Sequence, residues 1–170
     1  MRDQRPEYET SEQKMTIERE PTGQMIDDVD MRIMRELSAD SRRSFREIAK
    51  RIGISPATVL SRTRKLEGMG VVRYFTTIFD HEKLGYDLCA VIEVTVSKGK
   101  LLDVEESISH SQNVCGVYDV TGETDAIIIA KFKNRRELNS FVKSLLKMEY
   151  VERTNTRIVL NVVKEDFRLI

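Results

Sequence analysis

The sequence predicts an α+β chain of two modules, an N-terminal winged helix-turn-helix followed by a C-terminal ferredoxin-like βαββαβ unit. Two observations carry this. Apolar residues recur at three- and four-residue spacing from Ile26 to Leu66, and strand-like and helix-like runs alternate after residue 88. A third, the glycine-serine-proline punctuation "GISP" at residues 53–56, splits the helical region within a single turn. At 40% apolar and 33% charged residues, the composition is that of a soluble globular chain. No apolar run reaches the roughly 20 residues of a membrane span. The polar N-terminus lacks the apolar stretch of a signal peptide. The expected location is therefore the cytoplasm, with no membrane partner.

Residues 1–24 hold two of the three prolines and mixed charge without apolar periodicity, which predicts a disordered arm. In "MIDDVDMRIMREL", Ile26, Val29, Ile33 and Leu37 fall on one helical face behind acidic residues suited to a helix N-terminus, predicting a helix over 28–37. Phe45, Ile48, Ala49 and Ile52 predict a second over 44–52, ended by Gly53. Ser55 offers an N-cap oxygen, Pro56 suits the first helical position, and Val59, Thr63 and Leu66 continue a third helix over 55–68. A connection of about three residues forces the last two helices to cross steeply, as in a helix-turn-helix. The β-rich "GMGVVRYFTTIFD" then predicts a wing, which closes a module over residues 25–75. A turn-rich linker over 76–87 follows.

If Val59 and Leu66 face inward, Thr58, Ser61, Arg62 and Lys65 share the outer face, flanked by Arg64. With Arg43 and Ser55 they form the candidate DNA-binding set, cations for phosphates and hydroxyls near base edges. The formal net charge of zero conceals an asymmetry. Residues 42–65 carry eight Lys or Arg against Glu47 alone, whereas residues 76–170 carry 13 basic and 15 acidic groups. A positive potential confined to the helix pair points to nucleic acid. An αα-hairpin with an ordinary solvated basic face is the alternative.

In the module over 88–170, "LCAVIEVTV" (88–96), "VCGVYDV" (114–120), "DAIIIAKF" (125–132) and "VERTNTRIVLNVV" (151–163) read as strands. Residues 101–110 and 135–148 read as helices. Leu138, Phe141, Val142, Leu145 and Met148 give the second helix one apolar stripe, enough to cover one sheet face. Cys89, Val91, Val117 and Val159 alternate onto the other, and such an uncovered apolar face predicts a homodimer. Cys89 and Cys115 are expected as small buried hydrophobes, and His81 and His110 lack partners at ligand spacing. No metal, disulfide or cofactor is expected.

The motifs "IDDVDMRIMREL", "REIAKRIGISPATVLSRTRKLEGMGVV", "FDHEKLGYD" and "VTGETDAIII", in that order, resemble the Lrp/AsnC family from Ile26 to about Lys164. The resemblance implies a prokaryotic transcription regulator that binds double-stranded DNA. It also implies a dimer formed by the C-terminal module, assembled in many members into tetramers or octamers, and a small effector, usually an amino acid. By the same resemblance the effector site falls on Gly122, Thr124 and Asp125, with Thr154 and Thr156 added from the last strand. A glycine turn can offer backbone N–H groups to a carboxylate, and an aspartate can receive an ammonium. The alternative for that loop is a tight β-turn with Asp125 bonding its own backbone. The chain departs from the family pattern at Ala126, where an aromatic is common, and at His81, where a proline is expected. Sirohaem decarboxylases share the two-module architecture but carry histidine, tyrosine and arginine on their second and third strands. Here that region holds Tyr118 alone, so no catalytic residue is expected.

Overall fold

The computed structural model describes residues 26–170, so the arm expected over 1–24 lies outside the described residues. They divide into two compact units, one of residues 26–78 with 164–170 and the other Phe79–Val163.

The helical unit contains α1 (Asp28–Ala39), α2 (Phe45–Ile52) and α3 (Pro56–Gly68). Each begins on the side-chain cap its sequence supplies. The Asp27 carboxylate accepts from the Asp30 N–H, Ser44 Oγ from the Glu47 N–H, and Ser55 Oγ from the Thr58 N–H. Gly53 takes φ of 73°, a left-handed conformation that ends α2 while its N–H bonds the Ala49 carbonyl. Ile33, Ile48, Ala49, Ile52, Val59 and Leu66 are buried between the three helices.

Apolar packing is supplemented by an ionic contact between α1 and α3. Asp30 has no exposed surface. Its Oδ1 accepts from Arg62 Nη1 at 2.9 Å and its Oδ2 from Lys65 Nζ at 3.1 Å. The same Arg62 nitrogen reaches Asp27 Oδ2 at 2.5 Å. Burial pushes the Asp30 carboxyl up, but the hydrogen bonds from Arg62, Lys65 and the Asp27 N–H outweigh it, and its pKa lies below the ordinary 3.8. Arg62 likewise draws Asp27 down.

The expected wing does not form among the described residues. Val71 and Val72 donate back to the Leu66 carbonyl to close α3, and beyond them residues 73–80 run without a strand partner among the described residues, leaving Tyr74, Phe75 and Ile78 exposed. A β-rich run becomes a strand only where a second strand meets its backbone groups.

The second unit contains β1 (Leu88–Val96), α4 (Leu101–Ser109), β2 (Val114–Asp119), β3 (Ala126–Phe132), α5 (Arg135–Leu145) and β4 (Val151–Ile158). The antiparallel sheet has the order β2-β3-β1-β4, with Ile92 paired to Ile128 on one side and to Thr156 on the other. Ala90, Ile92, Val94, Ala126, Ile128, Ala130 and Phe132 point to the helices and meet Val104, Ile108 and Leu145. The last strand is shorter than expected, because Val159 still bonds the Cys89 carbonyl but β1 begins at Leu88 and offers nothing further.

The open face departs from the expectation at Val117. A bulge between Val114 and Gly116 reverses the alternation of β2, so Val117 opposes Ile128 and packs into the helix-side core. Cys115 sits at the bulge and is exposed. Cys89 and Val91 do lie on the open face as expected, half-buried with Ile127 and Ile129, and Tyr118 lies over Gly116 at one edge. At the other edge Glu93 accepts from Asn155 and Arg157.

Two outcomes follow from this packing. Thr63 Oγ1 is buried with no hydrogen-bond partner among the described residues, so Thr63→Val is expected to stabilise the helical unit by about 1 kcal/mol, read as a higher melting temperature by circular dichroism. Because Asp27 and Asp30 have depressed pKa values, their stabilisation is complete above the ordinary carboxylate value of 3.8 and is lost as the pH falls through the lower folded values. Denaturant midpoints measured from neutral pH downward should therefore fall more steeply below about pH 4 in the wild type than in Asp30→Asn.

Candidate DNA-binding face and effector loop

The rotation of α3 is set by Val59, Thr63 and Leu66, all buried. At 100° per residue, Ala57, Ser61 and Arg64 stand opposite them, while Thr58, Arg62 and Lys65 form a flank that faces α1. Arg64 is exposed and makes no ion pair with a described residue. Ser61 is exposed, and its Oγ lies 3.4 Å from the Thr58 carbonyl, a weak self-bond easily exchanged. Thr58 Oγ1 and Ser55 Oγ share a hydrogen bond of 2.8 Å, so both hydroxyls are partly committed to the start of the helix.

The outer basic face expected from spacing is thereby corrected. Arg62 and Lys65 turn toward Asp30, and only 28% of each side chain remains exposed. Arg43 is held as well, since its Nη1 donates to the Glu36 carbonyl and to Glu36 Oε2, which also receives Arg51 Nε at 2.7 Å. Sequence reading passed over Arg46 and Lys50 of α2, both exposed and with no ion pair to a described residue. Their i, i+4 spacing beside the buried Ile48, Ala49 and Ile52 was the available signal.

In the second unit the β2–β3 loop is tied to the end of β1. Asp125 donates its N–H to the Val94 carbonyl, and its carboxylate accepts the Val96 N–H at 2.8 Å. Thr124 Oγ1 lies within hydrogen-bond reach of the Val94 and Ala126 carbonyls, at 3.2 and 3.1 Å. Gly122 has φ of 128°, which no side chain tolerates easily. The N–H groups of Thr121, Gly122 and Glu123 donate to no described residue and sit on an exposed turn. The loop thus offers backbone donors, but its Asp125 is partly used by the sheet.

Thr154 and Thr156 lie across β1 from this loop, on the helix side, opposite Val94 and Ile92. Thr156 lines a different concavity of about 400 Å³ between α5 and β4, together with Leu88, Arg135, Leu138, Asn139, Val142 and Ile158. The five residues therefore do not converge on one pocket within the chain. No group of three or more His, Cys, Asp or Glu among the described residues could hold a metal ion. No helix among them is long and apolar enough to cross a membrane.

Comparison with known proteins places both units. Residues 26–67 match the AsnC-type helix-turn-helix domain, and residues 89–169 match the Lrp/AsnC ligand binding domain. The chain is 49% identical over 144 residues to an uncharacterized HTH-type transcriptional regulator of Pyrococcus furiosus, an alignment spanning 85% of this chain and 97% of the relative. It is 37% identical over 144 residues to the HTH-type transcriptional regulator FL11 of Pyrococcus abyssi, spanning 85% and 95%. Among solved structures, a transcriptional regulator of Neisseria meningitidis in complex with L-methionine superposes with a TM-score of 0.78 at 28% identity, covering 86% of this chain and 97% of that one. The leucine response regulatory protein LrpA of Mycobacterium tuberculosis gives 0.75 at 31%, covering 84% and 97%. A three-helix unit capped for a helix-turn-helix and a four-stranded βαββαβ unit, matched in order along one chain, make this protein a member of the Lrp/AsnC family of DNA-binding transcription regulators.

Proposed function

We propose that the protein recognises specific double-stranded DNA as a homodimer and that a small effector, an amino acid, alters that binding. The observation that carries the DNA reading is the outward strip Ala57, Ser61 and Arg64 on α3, with one exposed guanidinium that pairs with no described residue, set among small side chains that let a helix approach base edges. In this reading Arg64 reads bases, Ser61 and Thr58 lie beside them, and Arg46 and Lys50 hold phosphates. Arg43 serves the fold through Glu36, and Ser55 serves it as a cap.

The homodimer reading is supported by the apolar centre of the open sheet face, Val91, Ile127 and Ile129, and by the exposed Tyr74, Phe75 and Ile78. Larger assemblies, a tetramer or octamer, would build on the same unit. Two α3 helices in one particle would meet half-sites about 34–36 Å apart or a multiple of that. The effector reading is supported by the free N–H groups at 121–123 beside Asp125, a donor set for a carboxylate next to an anion for an ammonium. It gains weight from the L-methionine complex of the Neisseria meningitidis relative. The cytoplasm is the compartment this function requires.

Two measurements test these assignments. In mobility-shift titrations on DNA upstream of the coding region, Arg64→Ala is expected to weaken selective binding by about 1–3 kcal/mol. Undiminished affinity and preference would remove Arg64 from the base-reading role. Pooled amino acids are expected to move the wild-type titration midpoint and to leave Asp125→Asn unmoved, and equal responses would take the effector away from this loop.

A further inference from the structure

Two of the three cations of α3 are turned away from the side that meets solvent. Arg62 and Lys65 converge on the two oxygens of one fully buried carboxylate, while Arg62 also reaches the half-exposed Asp27. A helix whose task was to gather phosphates would present all three. Their capture removes two phosphate ligands from the surface and sets a carboxylate pair at the margin of the DNA-facing strip.

We propose that Asp30, seconded by Asp27, is a positioning residue for DNA recognition: it withholds Arg62 and Lys65 from phosphates and leaves the reading to Ala57, Ser61 and Arg64. This rests on the DNA-binding reading above. Phosphate contacts raise affinity for every sequence alike, whereas base contacts distinguish among them. A clamp that withholds phosphate contacts lowers affinity for all DNA alike, and with it the occupancy of non-specific sites, while discrimination stays with the base contacts. Asp27 contributes twice, as a competitor for the Arg62 guanidinium and as a negative charge facing an approaching phosphate.

Asp27→Asn is the informative variant, because asparagine caps a helix as well as aspartate and the site is exposed. Asp30→Asn is the stronger perturbation, and Asp28→Asn on the same first turn is the charge-matched control, since Asp28 makes no ion pair with a described residue. The probes are a duplex enriched from a random library by the wild-type protein and a shuffled duplex of equal composition, titrated over a series of KCl concentrations. Asp27→Asn is expected to tighten binding to the enriched and the shuffled duplex alike, about threefold at low salt, to steepen the dependence of log K on log salt by about 0.9 for each phosphate gained, and to leave the enriched-to-shuffled ratio unchanged. Asp28→Asn should neither tighten binding nor steepen the slope. Folded Asp30→Asn should show the same changes, larger, and if it fails to fold Asp27→Asn decides alone. Parallel weakening on both duplexes with an unchanged slope would mean the carboxylates only support the fold, and would overturn the inference. So would unchanged behaviour, or an Asp28→Asn variant that matches Asp27→Asn. These results leave DNA binding standing, whereas a wild-type protein that enriches no duplex removes the DNA reading and the inference with it.

Discussion

A carboxylate without access to water must be met by cations, and in this chain the cations that meet Asp30 come from a helix more than thirty residues away. That requirement links the start of α1 to the middle of α3 more specifically than apolar packing can. Ile33, Ile48, Val59 and Leu66 would tolerate small slides of one helix on another, but two hydrogen bonds to opposite oxygens of one carboxylate admit a narrow range of rotations. The same residues that begin α1 therefore help to decide which side of α3 faces outward. Capping and docking are joined in one group, since Asp27 holds the first turn of α1 and also receives Arg62.

The second unit depends on β1, which pairs with β3 on one side and β4 on the other. Its alternation sends Ala90, Ile92 and Val94 to the helices and Val91 and Glu93 to the open face. The end of the same strand supplies the Val94 carbonyl and Val96 N–H that fasten Asp125 and Thr124. A change in the register of β1 would thus move the loop, the core and the open face together.

Much of this was legible in the sequence. The cap at Ser55, the glycine at 53 and the proline at 56 act through contacts within four residues, which the order of residue types shows directly. The order of strands and helices in the second unit followed from alternating patterns long enough to be distinct. What escaped depends on partners distant in sequence. Spacing can place Arg62 and Lys65 on a flank of α3, but not reveal that Asp30 waits beside it. The inward turn of Val117 comes from a bulge at Cys115, two residues earlier, and the mark of it in "VCGVYDV" is the isolated Gly116, which apolar alternation alone does not weigh. Residues 73–80 have the composition of a strand, yet pairing is a property of two segments and the described chain supplies one.

The division of α3 into a clamped flank and an open strip bears on how such a chain can change. Residues 62 and 65 answer to α1, and residues 59, 63 and 66 to the core, so alteration at any of them is felt by the whole unit. Positions 57, 61 and 64 are exposed and form no ion pair with a described residue. On the proposed reading, new target preferences can be explored there at little risk to folding, which makes this strip the most evolvable part of a module whose scaffold is rigidly constrained.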